Sequence, residues 1–200
     1  MTPPKTPLLR KLGSGFGKLA LVAWFTVLTV MSAGLLSRHL LAMPAPDRTS
    51  QLGRRLITLE GSAVRTWLAV HVLSSECRCS QRVADHLVET TRPEGWLEVV
   101  LWVGDIDPPA ELAQRFDVRR ISASDLAAYG IEAAPLLVAV TPDGEVAYAG
   151  GYTDRKQGPV FHDLDVMTAV REARAVPSLP LFGCATSERL RDVLSTLPTP

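Results

Sequence analysis

The run LALVAWFTVLTVMSAGLLS, residues 19–37, carries no charged side chain over nineteen positions. As a helix rising about 1.5 Å per residue it spans roughly 30 Å, the thickness of a bilayer's hydrocarbon core. Lys5, Arg10, Lys11 and Lys18 precede it, and the first 18 residues contain no acid. Positive flanks stay on the cytoplasmic side, so the rest of the chain is expected beyond the membrane. The run is longer than a signal-peptide core, and RHLLAMPAPDR after it offers no small-x-small cleavage site, so it reads as an uncleaved anchor. The expected location is the inner (cytoplasmic) membrane, single-pass, with an extracytoplasmic or periplasmic C-terminal domain.

Three further segments follow from composition. Residues 1–18 form a basic leader, residues 38–57 read as a linker, because Pro, Ser, Gly and charge alternate there without a sustained period, and residues 58–200 are long enough for one domain with a core. Setting aside the leader's four cations leaves 17 Lys and Arg against 21 Asp and Glu over residues 19–200, a net charge of −4. Such a domain lacks the basic footprint that phosphate contacts require, which argues against a nucleic-acid partner.

Within the domain, TWLAVHVLSS is a short apolar run of the buried-strand type, and CSQRVADHLVETT repeats its apolar residues at helical spacing. LEVVLWVGD predicts a second strand, PPAELAQRFDV a helix opened by prolines, and SASDLAAYGI a short helix capped by Ser122 or Ser124. APLLVAVTPDGEVAYAGG reads as two strands around a Pro-Asp-Gly turn, and HDLDVMTAVREARAV as a closing amphipathic helix. Strands joined by helices and closed by a hairpin predict an α/β fold with helices on both faces of a sheet. Trp67, Trp96 and Trp102 are expected to pack in the core or at an interface, and Gly150 and Gly151 to mark a close backbone approach.

The chemistry concentrates at the first strand-to-helix junction, where Cys77 and Cys79 stand one residue apart. A cysteine at a helix N-terminus faces unpaired N–H groups and the positive end of the helix dipole, and Arg78 adds a cation, so Cys77 is the expected nucleophile. Glu76 opposes this, since a neighbouring carboxylate raises a thiol pKa. A Cys77–Cys79 disulfide closes a small, strained ring that is easily reduced, whereas a bond to Cys184 requires the PLFGC segment to return to this edge. Either bridge leaves one thiol over, as suits exchange with a partner, while a stabilising disulfide without turnover is the plain alternative.

The order strand, cysteine motif at a helix start, βα continuation, then AAP opening a strand-PDG-strand hairpin resembles the thioredoxin-like superfamily. Membrane-tethered bacterial members of the TlpA/ResA kind are the nearest broad analogue, and CRCS, GGYT and LFGC resemble the RedB-like group. The resemblance covers roughly residues 60–185. It implies a thioredoxin-like fold, a thiol–disulfide oxidoreductase or redox carrier, and an extracytoplasmic protein thiol or disulfide as partner. It also implies that His71, in the strand six residues before Cys77, relays protons to a buried thiol, although an isolated strand histidine is more often simply packed and hydrogen-bonded, that the Ala134–Pro135 bond is cis and faces the cysteines, and that Ala134 offers its backbone to a bound peptide. The chain departs from the usual Cys-x-x-Cys, and Glu76 replaces the aromatic residue often found before the first cysteine. No cofactor is required by this reading. A second class is metal handling, with Cys77, Cys79, Cys184 and His162 holding copper(I) or zinc; a third is a binding or assembly module without catalysis.

Overall fold

A computed structural model describes residues 7–59 and 66–196. Lys5 of the predicted leader and the last four residues of the predicted 58–200 domain lie outside the described residues. The chain divides after Leu41 into two units. The first is a helix, α1 (Pro7–Leu40), whose stretch Gly17–Gly34 has a mean hydropathy of 1.5 and is long and apolar enough to cross a membrane. Its Leu19, Trp24, Phe25 and Val30 are exposed. The hydroxyls of Thr26 and Thr29 donate to the carbonyls of Val22 and Phe25 at 2.8 Å, so these polar groups find partners within the helix.

The predicted linker is corrected over its last third. Residues 50–57 belong to a helix, α2 (Ser50–Leu59), whose Leu52 and Leu56 are only 3% and 1% exposed and sit in the domain core. Two leucines one turn apart, flanked by Gly53, Arg54 and Arg55, make too narrow a stripe to stand out in sequence, and a ten-residue helix owes its stability to packing rather than propensity. Gly53 is required here, because a Cβ at this position would come within 2.2 Å of the Gly144 carbonyl oxygen.

The second unit continues as β1 (Trp67–Ser74), α3 (Arg78–Glu89), β2 (Trp96–Val103), α4 (Ala110–Arg115), β3 (Asp117–Ile121), α5 (Ala123–Ala128), β4 (Ala133–Ala134), β5 (Leu136–Val140), β6 (Val146–Gly150), α6 (Asp163–Arg171), β7 (Cys184–Ala185) and α7 (Glu188–Thr196). Five strands form one mixed sheet in the order β3-β2-β1-β5-β6, with β1, β2 and β3 parallel and β5 and β6 antiparallel. The expected α/β class with helices flanking a central sheet is observed. Leu68, Val70 and Val72 of β1 face the layer holding α2, α5 and α7, while Ala69 and Leu73 face the layer of α3, α4 and α6. That alternation is the period of two expected of a strand buried on both faces.

Ser122 caps α5 by accepting from the Asp125 N–H at 3.0 Å. Thr141-Pro142-Asp143-Gly144 turns the β5–β6 hairpin, with the Gly144 N–H donating to the Thr141 carbonyl and Gly144 at φ +86°. Strand β3 was not predicted: DVRRI places Arg119 and Arg120 on a sheet edge, and two adjacent arginines hide the strand pattern. Trp67 and Trp96 pack ring to ring at 5.2 Å, and buried Trp102 donates its indole N–H to the Ile106 carbonyl.

Candidate functional site

Strand β1 ends at Ser74, a tight turn through Ser75 and Glu76 follows, and Cys77 becomes the N-cap of α3. The turn is closed by the Cys77 N–H on the Ser74 carbonyl at 3.1 Å. Ser80, three residues into the cap, accepts the Ser74 N–H at 3.0 Å through its hydroxyl oxygen, which leaves the hydroxyl proton to donate elsewhere. Cys77 is fully buried, 0% exposed, with Sγ 3.7 Å from the Ala134 carbonyl oxygen. Cys79 is half-buried and Cys184 exposed, and all three are free thiols.

Cys184 comes to this place through a chain of close contacts. It stands directly across from Ala134 in the antiparallel β4–β7 pair, and the Ala134–Pro135 peptide is cis, as the resemblance implied. A Cβ on Gly183 would lie 1.9 Å from the Ala134 carbonyl oxygen, so only glycine allows this approach. The preceding residues are laid over the end of β6: the Gly151 N–H donates to the Leu179 carbonyl, and a Cβ on Gly151 would meet the Pro180 oxygen at 2.1 Å. The buried Tyr148 hydroxyl donates to the Gly151 carbonyl at 2.8 Å and accepts the Leu179 N–H at 3.3 Å. Arg48 adds a bond to the Ser178 hydroxyl and sits over the Tyr148 ring. Beyond Cys184, the Thr186 N–H donates to the Glu132 carbonyl, and Ser187 caps α7 by accepting the Leu190 N–H. The GGYT and LFGC stretches therefore share one packing arrangement that sets Cys184 opposite Ala134, whose carbonyl oxygen lies 3.7 Å from Cys77 Sγ.

The three thiols compete for one negative charge. Hydrogen bonds from Cys184 and then Cys79, with further ones from the Ser80 N–H and hydroxyl, hold Cys77 far below the ordinary thiol value of 9.0, although burial works the other way. Cys79 and Cys184 are raised, because each donates its proton to Cys77 and each is partly buried. Lys156 opposes this rise at both sulfurs and Arg82 at Cys79. As a thiol Cys77 caps nothing; as a thiolate it accepts the third N–H of α3, the geometry of an N-cap acceptor. Arg78, Cys79, Gln81, Arg82, Asp85 and Gln157 line an open cleft of about 400 Å³ alongside. The Arg82 guanidinium donates to the Gly158 carbonyl and so holds the loop carrying Lys156 against α3.

Other predicted site residues fall elsewhere. His71 is buried in β1, but both ring nitrogens are engaged, Nδ1 with the Tyr152 hydroxyl at 2.8 Å and Nε2 with Glu98 at 2.9 Å, so the relay to a thiol is not what this histidine is arranged for. Glu98 accepts from Arg92, Arg92 bridges to Asp163 at 2.7 Å, and Asp163 accepts from His86 at 2.8 Å. His86 is half-buried and stacked on Phe161 at 4.2 Å. This network was missed in sequence, although a glutamate inside the apolar WLEVVLWV run was a signal that a buried cation would meet it. Ala134 and Pro135 are buried, and the edge on which Ala134 was to receive a peptide is taken by the chain's own β7. His162 caps α6 and faces Asp165 at 3.5 Å rather than the cysteines. Among the described residues no group of three or more His, Cys, Asp or Glu is placed to hold a metal ion.

No protein-family model matches the chain, and no curated protein matches it. Among solved structures it is similar to an uncharacterized conserved protein from Geobacillus kaustophilus, at 20% identity and a TM-score of 0.49 over 74% of this chain and 90% of that one. It is also similar to a hypothetical protein from Sinorhizobium meliloti 1021, at 18% identity and a TM-score of 0.48 over 64% and 82%.

Proposed function

We propose that this chain is a membrane-anchored thiol–disulfide exchange protein of the thioredoxin-like kind, acting on an extracytoplasmic protein partner through Cys77 and a neighbouring thiol. The observation that carries the reading is Cys77, buried at the start of α3 and held far below its ordinary thiol value, with Cys79 two residues on and Cys184 opposite Ala134, whose carbonyl oxygen lies 3.7 Å from Cys77 Sγ. A thiolate is the nucleophile and, equally, the preferred leaving group in thiol–disulfide exchange, so one stabilised thiolate beside two protonated thiols suits reversible transfer of a disulfide. The apolar run 19–37 of α1, with cations before it, supports an inner-membrane anchor with the domain on the extracytoplasmic side, where disulfides persist.

The test is an equilibrium titration of the full chain in detergent against glutathione redox buffers, read by mass change after alkylation. A reversible two-electron transition that converts two of the three cysteines to a disulfide is expected. Three thiols that stay alkylatable at every oxidising poise would refute the reading and favour the binding-module alternative.

A further inference from the structure

Resting on that exchange reading, we propose that Cys184, rather than Cys77, is the sulfur that meets the external partner, and that Cys77 then takes the bond over from inside. Cys77 is wholly buried beneath Ala134 and its sulfur faces a carbonyl, so an outside disulfide has no line of approach to it while β7 is seated. Cys184 is exposed and stands opposite Ala134, in a pair whose Cα atoms lie about 4.5–5.5 Å apart. The edge of β4 is already occupied, so a partner strand cannot pair there without displacing β7. Cys79 is half-buried in the lining of a cleft, and the more exposed cysteine is the one on β7, presented on a segment fixed by Gly183, Gly151 and Tyr148.

The chemistry balances in two steps. For an incoming disulfide R–S–S–R′, the Cys184 thiol releases its proton to water and the Cys184 thiolate attacks one sulfur. The Cys184–S–R bond forms, the R–S–S–R′ bond breaks, and R′S⁻ leaves with the electron pair and takes up a proton. The Cys77 thiolate then attacks the Cys184 sulfur and expels RS⁻, which takes the second proton from water. The external disulfide has gained two electrons and two protons, and the chain holds a Cys77–Cys184 disulfide. In reverse, an external thiolate attacks the exposed Cys184 sulfur and Cys77 leaves as the stabilised thiolate, the faster direction of departure for a low-pKa sulfur.

The experiment uses the full chain in detergent micelles with 5,5′-dithiobis(2-nitrobenzoate) as the disulfide probe, followed by peptide mass spectrometry. Wild-type chain is expected to release two equivalents of thionitrobenzoate and to yield a linked Cys77–Cys184 peptide pair. Cys77→Ser, and Cys77→Ala as a second version should the first fold poorly, should keep the adduct on Cys184. In a Cys79→Ser background, adding Cys184→Ser should slow the first release at least tenfold. An adduct lodged on Cys79 in the Cys77 variants, a Cys77–Cys79 linkage in wild type, or an unchanged first release without Cys184 would overturn the assignment while leaving exchange intact. Release of one equivalent per reactive thiol with no internal linkage would instead refute the exchange reading itself.

Discussion

Two buried polar regions lie in the same domain and obey opposite rules. In the first, Tyr152, His71, Glu98, Arg92, Asp163 and His86 are joined in series, and each charged side chain in it is met by a partner at 2.7–2.9 Å. In the second, three thiols share one charge, and the two buried side-chain oxygens without a partner among the described residues, Ser75 Oγ and Thr186 Oγ1, flank it in sequence, two residues before Cys77 and two after Cys184. A buried network in which every group is satisfied fixes one arrangement of the strands and helices around it. A cluster that leaves protons mobile and oxygens unpaired is held in place by its surroundings and keeps its free energy for reaction. The difference separates a histidine held at both ring nitrogens from three free thiols.

The largest expected effect breaks the first region. Arg92→Leu strands Glu98 and Asp163 without their cation and should cost about 3–5 kcal/mol of unfolding free energy, measured by urea denaturation, because uncompensated buried charge is expensive. A loss near zero would mean that the network is dispensable and the contrast false.

Acid should reveal the same region next. Burial alone would raise Asp163 and Glu98, but hydrogen bonds from His86 to the first and from His71 and Arg92 to the second, together with their charges, hold both below their ordinary values of 3.8 and 4.5. As pH falls through those values the unfolded chain binds protons that the folded chain refuses, so stability rises with pH in this window and is lost on acidification. The denaturation midpoint should be level above about pH 6 and fall steeply below about pH 4.5. A level profile down to pH 3 would contradict the pairing.

The second region should respond in chemistry with little change in stability. Thiolate absorbance at 240 nm should be present in wild type well below the ordinary thiol range and vanish from that range in Cys77→Ser. Ser80→Ala should move the Cys77 titration upward, reducing thiolate roughly tenfold at a pH within the transition, since a hydrogen bond to a charged group is worth about 1.5–3 kcal/mol. Identical titrations in wild type and Ser80→Ala would remove Ser80 from the site. The smallest effect is expected from Lys156→Gln, which withdraws a cation from Cys79 and Cys184 and should slow reaction with an anionic disulfide about two- to threefold at low salt, the difference fading as salt screens the charge.

Much of the fold was legible because its signals are local. The uncharged run 19–37, the period-two burial of β1, the Pro-Asp-Gly turn and the Ser122 cap each declare themselves within a few residues. Helix α2 and strand β3 did not, because Leu52 and Leu56 acquire meaning only against the sheet, and Arg119 and Arg120 only at an edge. The cysteine pair was visible as chemistry, yet its third member depended on Gly183 and Gly151 admitting one backbone against another, a contact that no local pattern announces. His71 shows the converse: the resemblance implied a proton relay, the ordinary reading of a packed, hydrogen-bonded strand histidine is what the structure shows, and its partners Glu98 and Tyr152, 27 and 81 residues away, could not be named from sequence.

The Tyr148 hydroxyl, which donates to Gly151 and accepts from Leu179, does the work of a missing ladder rung with a single phenol. Burial raises its pKa to about 12, so it stays neutral and keeps its proton through the range in which Cys77 titrates. The latch on the Cys184 segment is therefore insensitive to the pH changes that govern Cys77. Timing and reactivity thus rest on separate controls: Tyr148→Phe is expected to lengthen the excursions of the segment, seen as faster amide exchange at Leu179 and Gly151, while leaving the charge on Cys77 where it was.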